Sequence, residues 1–203
     1  MEISECPQCG AAAAPSDRKC GYCKAEFFIT SLAYLGSFDS GGVGKYLKHY
    51  KELTRNDPQS TEGLLGLGLC YLQMGTYPLA QKCFEEVIEA SPDVSQAYYY
   101  YSLASIRGRR LMTLSLKEVR QIETYLNMAT QLDGEIPQYK LLLAMLKRDY
   151  YETNGMKVSE PNAAKLLLEL QGQQIQKSEL DHLKTAVKVG KEEQYYDMLT
   201  ILQ

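Results

Sequence analysis

The sequence predicts a mainly α protein made of stacked antiparallel helix hairpins and headed by a small cysteine-rich module. Three observations predict it. Apolar and small residues recur with a period of 34 residues, as between Pro58 and Pro92. Within each period the apolar positions follow helical spacing. Four of the six cysteines fall in the first 23 residues.

Length and composition set the outer limits. A chain of 203 residues suffices for one mid-sized domain, or for a small module plus a helical array. Hydrophobic residues make up 45%, as in ordinary globular proteins, and a net charge of −3 argues against a polyanion binder in bulk. The longest apolar runs, such as "LLLAML" at 141–146, are too short to span a bilayer. The start, "MEISECPQCG", has neither the basic end nor the apolar centre of a secretory signal. The expected location is the cytoplasm.

In a reducing cytosol clustered cysteines point to a metal site rather than to disulfides. Cys6, Cys9, Cys20 and Cys23 form two C-x-x-C pairs. Two residues between thiolates let a tight turn aim both sulfurs at one ion, and two such knuckles make a closed tetrahedral cage. Gly10 and Gly21 are expected to take the unusual backbone angles of these turns, with "APSD" turning the chain between them. The module resembles the short zinc ribbons that begin many prokaryotic multi-domain proteins, down to the "CPxCG" opening and the aromatic pair Phe27-Phe28. That resemblance implies one structural Zn2+, with a rubredoxin-like iron site as the alternative. Four thiolates leave no open position for an activated water. About 25 residues bury too little core to fold alone, so the metal supplies most of the folding free energy. Arg18, Lys19 and Lys24 are offset by Glu2, Glu5, Asp17 and Glu26, a balance that favours protein docking over phosphate contact. Cys70 and Cys83 lie on apolar helical faces and are expected to be buried thiols.

From residue 61 the periodic pattern is sharp. It runs Leu64, Leu67, Gly68, Tyr71, then Ala80, Phe84 and Pro92. Small Gly68 and Ala80 let two helices approach, Gly75 ends the first, Phe84 and Val87 fill the space between hairpins, and Pro92 stops the second. This stretch resembles the tetratricopeptide repeat (TPR). A degraded repeat over 27–60 places Tyr46, Tyr50 and Leu53 where Ala80, Phe84 and Val87 stand. A repeat from 95 places Ile122, Leu126 and Ala129 there, with extra residues around "RGRRLMTLS". A looser unit starts at 135, with "ETNG" as its stop and "SEPNAAKLLLELQ" as its second helix. Two further helices follow, "KSELDHLKTAVKVG" with Ser178 as N-cap, and "KEEQYYDMLTILQ". The expected organisation is a zinc ribbon over 1–26, a TPR-like α-solenoid over 27–174 and C-terminal capping helices over 175–203.

"SGGVGK" at 40–45 looks at first like a phosphate-binding loop. It lacks the first glycine of that motif, Asp39 standing there, and Tyr46 replaces the Ser or Thr needed for magnesium. It is expected in the turn between the helices of the first repeat.

The TPR resemblance also implies which residues face a concave groove. They are Glu62, Leu65, Leu69, Leu72 and Gln73; then Gln96, Tyr99, Leu103, Ile106 and Arg107; then Ile136, Tyr139, Leu143, Leu146 and Lys147. Such an apolar groove takes an amphipathic helix or an extended peptide. It could equally be filled by the chain's own last helix, with Tyr195, Tyr196, Met198, Leu199 and Leu202. "YYYY" at 98–101 is expected to divide between core and groove, "RGRR" at 107–110 to be solvated charge, and His49 and His182 to lie on polar faces. With no catalytic signature, the expected function is a non-enzymatic adaptor or scaffold that binds a partner protein, alone or inside a multi-subunit complex. The alternative is a nucleic-acid-binding or regulatory zinc-ribbon protein within a larger complex.

Overall fold

The computed structural model describes residues 5–14 and 16–188. The helix "KEEQYYDMLTILQ" and the proline of "APSD" fall outside these residues. The fold is mainly α and built of TPR-like antiparallel hairpins, the class that the repeat predicts. The chain divides into two compact units, Met1–Ser91 and Pro92–Gln203.

In the first unit a two-knuckle ribbon leads into α1 (Leu32–Leu35), α2 (Ser40–Asn56), α3 (Thr61–Gln73) and α4 (Tyr77–Ala90). The starts of the first three follow from their caps. Ser31, Asp39 and Ser60 each accept from a backbone N–H in the first turn. α4 starts at Tyr77-Pro78, where a missing N–H does no harm, and left-handed Gly75 (φ +71°) stops α3. Helix α3 packs against α1, α2 and α4. Its glycines set the distance. A Cβ on Gly66 would stand 2.2 Å from the Tyr50 ring, and one on Gly68 2.6 Å from the Phe84 ring. The periodic anchors Tyr46, Tyr50, Ala80, Phe84 and Val87 are all fully buried.

"SGGVGK" is not an inter-helix turn. It forms the first turns of α2, and the connection to α1 is Gly36–Asp39. The Asp39 carboxylate accepts from Gly42 N–H at 2.7 Å, so a negative group already sits where a phosphate would be held.

The second unit carries α5 (Ser95–Ile106), α6 (Leu116–Leu132), α7 (Pro137–Leu146), α8 (Ala163–Glu169) and α9 (Lys177–Ala186). Helix α5 packs on α6, α6 on α7 and α7 on α8. Ile122, Leu126 and Ala129 are fully buried, as the repeat requires. The extra residues around 107–115 form a 3-10 turn, Leu111–Thr113, that buries Leu111 and Leu114. Within "RGRR", Arg107 and Arg110 are exposed, as expected of solvated charge, and Arg109 departs from it. Arg107 ends α5 in the left-handed region (φ +55°). Arg109 donates to the Ile106 and Ser105 carbonyls and pairs with Glu118 at 2.7 Å. Glu118 also closes a capping box with Ser115 at the start of α6.

Beyond α7 the helix widens into a π turn, Lys147–Glu152, before left-handed Gly155 ends it. Asn162 caps α8, and α9 starts after Gln176, so Ser178 is not its N-cap.

Replacing Gly66 by Ala is expected to destabilise the chain by about 1–3 kcal/mol, because the Tyr50 ring must move. Gly44→Ala, whose added Cβ meets nothing within 4 Å, is expected to stabilise α2 by about 0.5–1 kcal/mol. Urea unfolding of the two variants gives the ordering, and equal effects would refute the close approach. Arg109 and then Ser115 hold the Glu118 carboxyl down at about 2, from an ordinary 4.5. A folded pKa below the unfolded one adds stability above pH 4.5 that is lost as pH falls toward 2. Glu118→Gln is therefore expected to lower stability by about 1 kcal/mol at pH 7 and by nothing near pH 2, read from urea midpoints across pH.

Candidate metal centre and interaction face

The ribbon consists of two copies of one local design. Cys6 N–H donates to Ala11 O and Gly10 N–H to Cys6 O; fourteen residues on, Cys20 N–H donates to Ala25 O and Lys24 N–H to Cys20 O. Bridges Glu5–Ala12 and Lys19–Glu26 flank the two turns. Each turn needs one left-handed residue. These are Gly10 (φ +72°) and Lys24 (φ +64°), not Gly21. Lys24 returns its ammonium to Gly21 O at 2.8 Å.

The knuckles bring all four sulfurs of Cys6, Cys9, Cys20 and Cys23 within 4.8 Å of one another. Cys6 Sγ lies 3.6 Å from Cys23 Sγ, and Cys9 Sγ 3.7 Å from Cys20 Sγ. A tetrahedron with metal–sulfur bonds of about 2.3 Å has edges of about 3.8 Å, so the four residues fit a single metal ion. Cys6 and Cys20 are buried with Ala25 and Phe27, and Cys9 and Cys23 close the outer side. Burial pushes the Cys6 thiol up to about 12. The Cys23 and Tyr22 backbone N–H groups draw the Cys20 thiol down to about 6.

The ribbon is fixed to the helices that follow it. Tyr46 OH donates to Glu26 O, and Tyr34 OH accepts from Glu26 N–H, both at 2.7 Å. Tyr50 OH accepts from Ile29 N–H at 2.7 Å and donates to Phe27 O at 3.3 Å. Burial pushes the Tyr46 and Tyr50 hydroxyls far above their ordinary range, so both stay protonated donors. The apparent phosphate loop supplies the other side of the joint. Lys45 Nζ donates to Gln8 O at 2.7 Å, and Gln8 Nε2 donates to Gly42 O at 2.9 Å. Arg18 lies 5.2 Å over the Phe28 ring and 3.6 Å from Glu62. The helical spacing of Tyr46 and Tyr50 signalled burial; nothing in it signalled that their hydroxyls serve the ribbon.

Of the residues expected to line the groove, Leu65, Leu69, Leu72, Tyr99, Leu103, Ile106, Tyr139, Leu143, Leu146 and Lys147 are buried, and Arg107 is exposed. The apolar stripe is therefore covered by the chain itself. Lys147 does not reach a groove. The π turn sets it, 1% exposed, at 3.1 Å from Glu123 and at hydrogen-bond distance from Ser159 O and Oγ. Burial raises Glu123, but hydrogen bonds from Tyr151, Lys147 and Ser159 outweigh it and leave the carboxyl below its ordinary value. Tyr98 and Tyr101 pack on Tyr125 of α6, with centroids at 5.6 and 4.6 Å, while Tyr99 meets Tyr139 of α7 at 5.0 Å. His49 is not a surface histidine; its Nε2 is buried without a partner among the described residues, and burial lowers its pKa. Burial likewise lowers that of His182. Cys70 and Cys83 are buried, and burial raises both thiols to about 12.

No family model matches the chain, and no curated protein matches it. Among solved structures the chain is similar to MamA, with 14% identity and a TM-score of 0.49 over 86% of this chain and 88% of that one. Among the described residues no helix is long and apolar enough to cross a membrane.

Lys24→Gly is expected to stabilise the second knuckle by about 1 kcal/mol, because a left-handed residue with a Cβ carries about that strain. Competition with a chromogenic chelator would read this as a several-fold gain in metal affinity. A weakened site would mean that the Lys24 ammonium on Gly21 O outweighs the strain.

Proposed function

We propose that this chain is a non-enzymatic, cytoplasmic protein-interaction adaptor. Residues 1–26 form a structural zinc ribbon, 27–174 a TPR-like array and 175–203 a C-terminal cap. One Zn2+ is held by Cys6, Cys9, Cys20 and Cys23. The four-sulfur cage carries this reading, because its edges suit a zinc ion and its closed donor set leaves no place for a reacting water. The cage holds the ribbon in one shape, and the ribbon holds α2 and α3.

The other polar clusters are engaged in structure. Asp39 caps α2, Arg109 and Glu118 join α5 to α6, and Lys147, Glu123 and Tyr151 anchor the π turn. Arg109 and Lys19 stand in close ion pairs with Glu118 and Glu26. A partner protein, as a helix or extended peptide, is read in the first unit through Leu65, Leu69 and Leu72 of α3, and in the second through Tyr99, Leu103, Ile106 and Arg107 of α5 and Tyr139, Leu143 and Leu146 of α7, with Lys147, expected in the same stripe, turned away to Glu123. Since all of these but Arg107 are buried, binding goes with movement of the segments that cover them.

The test is metal content. Native mass spectrometry of the purified chain is expected to show one zinc per molecule, and none in the Cys20→Ser/Cys23→Ser variant. Removing the zinc is expected to lower the unfolding midpoint by several degrees, through the joint at Tyr46 and Tyr50. A red ferric-thiolate protein would replace zinc by iron, and a metal-free chain of unchanged stability would overturn the structural role.

A further inference from the structure

The two knuckles of the ribbon repeat one backbone path at an interval of fourteen residues, with matched hydrogen bonds at Cys6, Gly10 and at Cys20, Lys24. The match extends to the sulfurs. Backbone N–H groups of Gln8 and Cys9 reach the Cys6 sulfur, and those of Tyr22 and Cys23 reach the Cys20 sulfur. Gln8 and Tyr22 are therefore equivalent residues, one at the tip of each knuckle.

The first tip is docked and the second is bare. Gln8 O accepts from Lys45 Nζ at 2.7 Å, and Gln8 Nε2 donates to Gly42 O at 2.9 Å. The tip thus holds the opening turns of α2 by one acceptor and one donor. Tyr22 offers the same pair, a backbone carbonyl and a hydroxyl that donates. Yet Tyr22 is 85% exposed, more than any other exposed large hydrophobic residue described. Neither its carbonyl nor its side chain has a hydrogen bond or ring contact among the described residues. Lys24 does not take the part of Lys45, because its ammonium goes to Gly21 O, one residue short of the tip. A tyrosine held in solvent by a tight turn adds nothing to the core, and tyrosine is a side chain that interfaces favour.

We propose that the tip of the second knuckle, at Tyr22, is a docking point for a partner protein's helix, taken by its opening turns as the first knuckle takes α2. Tyr22 OH donates to a first-turn carbonyl of that helix. Tyr22 O accepts from a Lys or Arg three positions later, whose stem lies along the ring. The proposal rests on the metal-held ribbon of the adaptor reading. It adds to the buried stripe residues a surface that binds without any segment having to move. The ribbon then has two docking sides, one for this chain's own helix and one for a helix of the partner.

The experiment uses the full chain, its metal content measured first, and a synthetic peptide of residues 38–56 carrying Gly44→Ala to raise its helicity. This peptide is the helix that the first knuckle holds. Backbone amide NMR shifts of the metal-loaded chain are expected to move at 21–24 on titration. Tyr22→Ala is expected to weaken the peptide about tenfold, as loss of an interface tyrosine does. Tyr22→Gln, which copies the first tip, is expected to keep the binding, and Lys45→Ala in the peptide to weaken it several-fold. Because the side chain stands in solvent, Tyr22→Ala is expected to leave metal content and unfolding midpoint unchanged. No shift at 21–24, equal binding by Tyr22→Ala, or loss of binding in Tyr22→Gln would overturn the docking point. So would shifts confined to 7–10, which mean that the peptide has replaced the chain's own α2. Tyr22-dependent binding of an oligothymidylate in place of the peptide would overturn it as well, by making the ring a platform for bases. A chain that holds no metal loses the zinc reading and the docking point together; a metal-loaded chain that fails the titration loses the docking point alone.

Discussion

Tyr50 is the residue on which the first unit turns. Its ring lies against α3, where Gly66 leaves no room for a Cβ, and its hydroxyl takes Ile29 N–H and gives to Phe27 O. One side chain thereby spaces α2 from α3 and satisfies the backbone that leaves the ribbon. Phe in its place would keep the packing and leave Ile29 N–H buried without its acceptor, a loss of about 1–3 kcal/mol. Tyr46 repeats the arrangement one turn earlier, with Glu26 O. The repeat pattern asks only for something large at these positions. The choice of Tyr is explained by the ribbon.

How much of this was legible in the sequence follows from what each signal measures. A period of 34 residues measures which faces meet, and Ala80, Phe84, Val87, Ile122, Leu126 and Ala129 are all buried as that period demands. Cysteine spacing measures which sulfurs a turn can bring together, and the four do converge. Neither signal carries the backbone angle of a particular residue. Gly21 looked like the left-handed position because it is glycine, yet the hydrogen bond from residue 24 to Cys20 O puts that conformation on Lys24. In the same way "SGGVGK" looked like a turn because of its glycines. Asp39 as N-cap and buried Val43 and Tyr46 were the stronger signals, and they start a helix.

The groove was harder to read for a different reason. Helices α3, α5 and α7 are apolar on nearly every side, so their sequences have little amphipathic direction and do not show what covers each face. In the first unit α1 packs on α3, and in the second α9 reaches Gln138. Lys147 illustrates the cost of counting along an ideal helix. The π turn adds a residue to the helical repeat, rotates the side chain off the expected face and delivers it to Glu123.

The same packing explains why a metal-held module would stay attached to a repeat array. The ribbon's own core is four buried residues, Cys6, Cys20, Ala25 and Phe27, two of them cysteines of the four-sulfur cluster. So little apolar area cannot offset the ordering of about 25 residues, and without a bound cation the two knuckles have no common centre. The helices in turn use the ribbon's backbone to satisfy Tyr46, Tyr50 and Lys45. Each half thus supplies what the other lacks. A cation bound at the four sulfurs would pass its binding free energy to α3 through the Tyr50 ring. An array that begins with a degraded hairpin, whose first helix is only the four residues Leu32–Leu35, needs such an outside brace at its amino end.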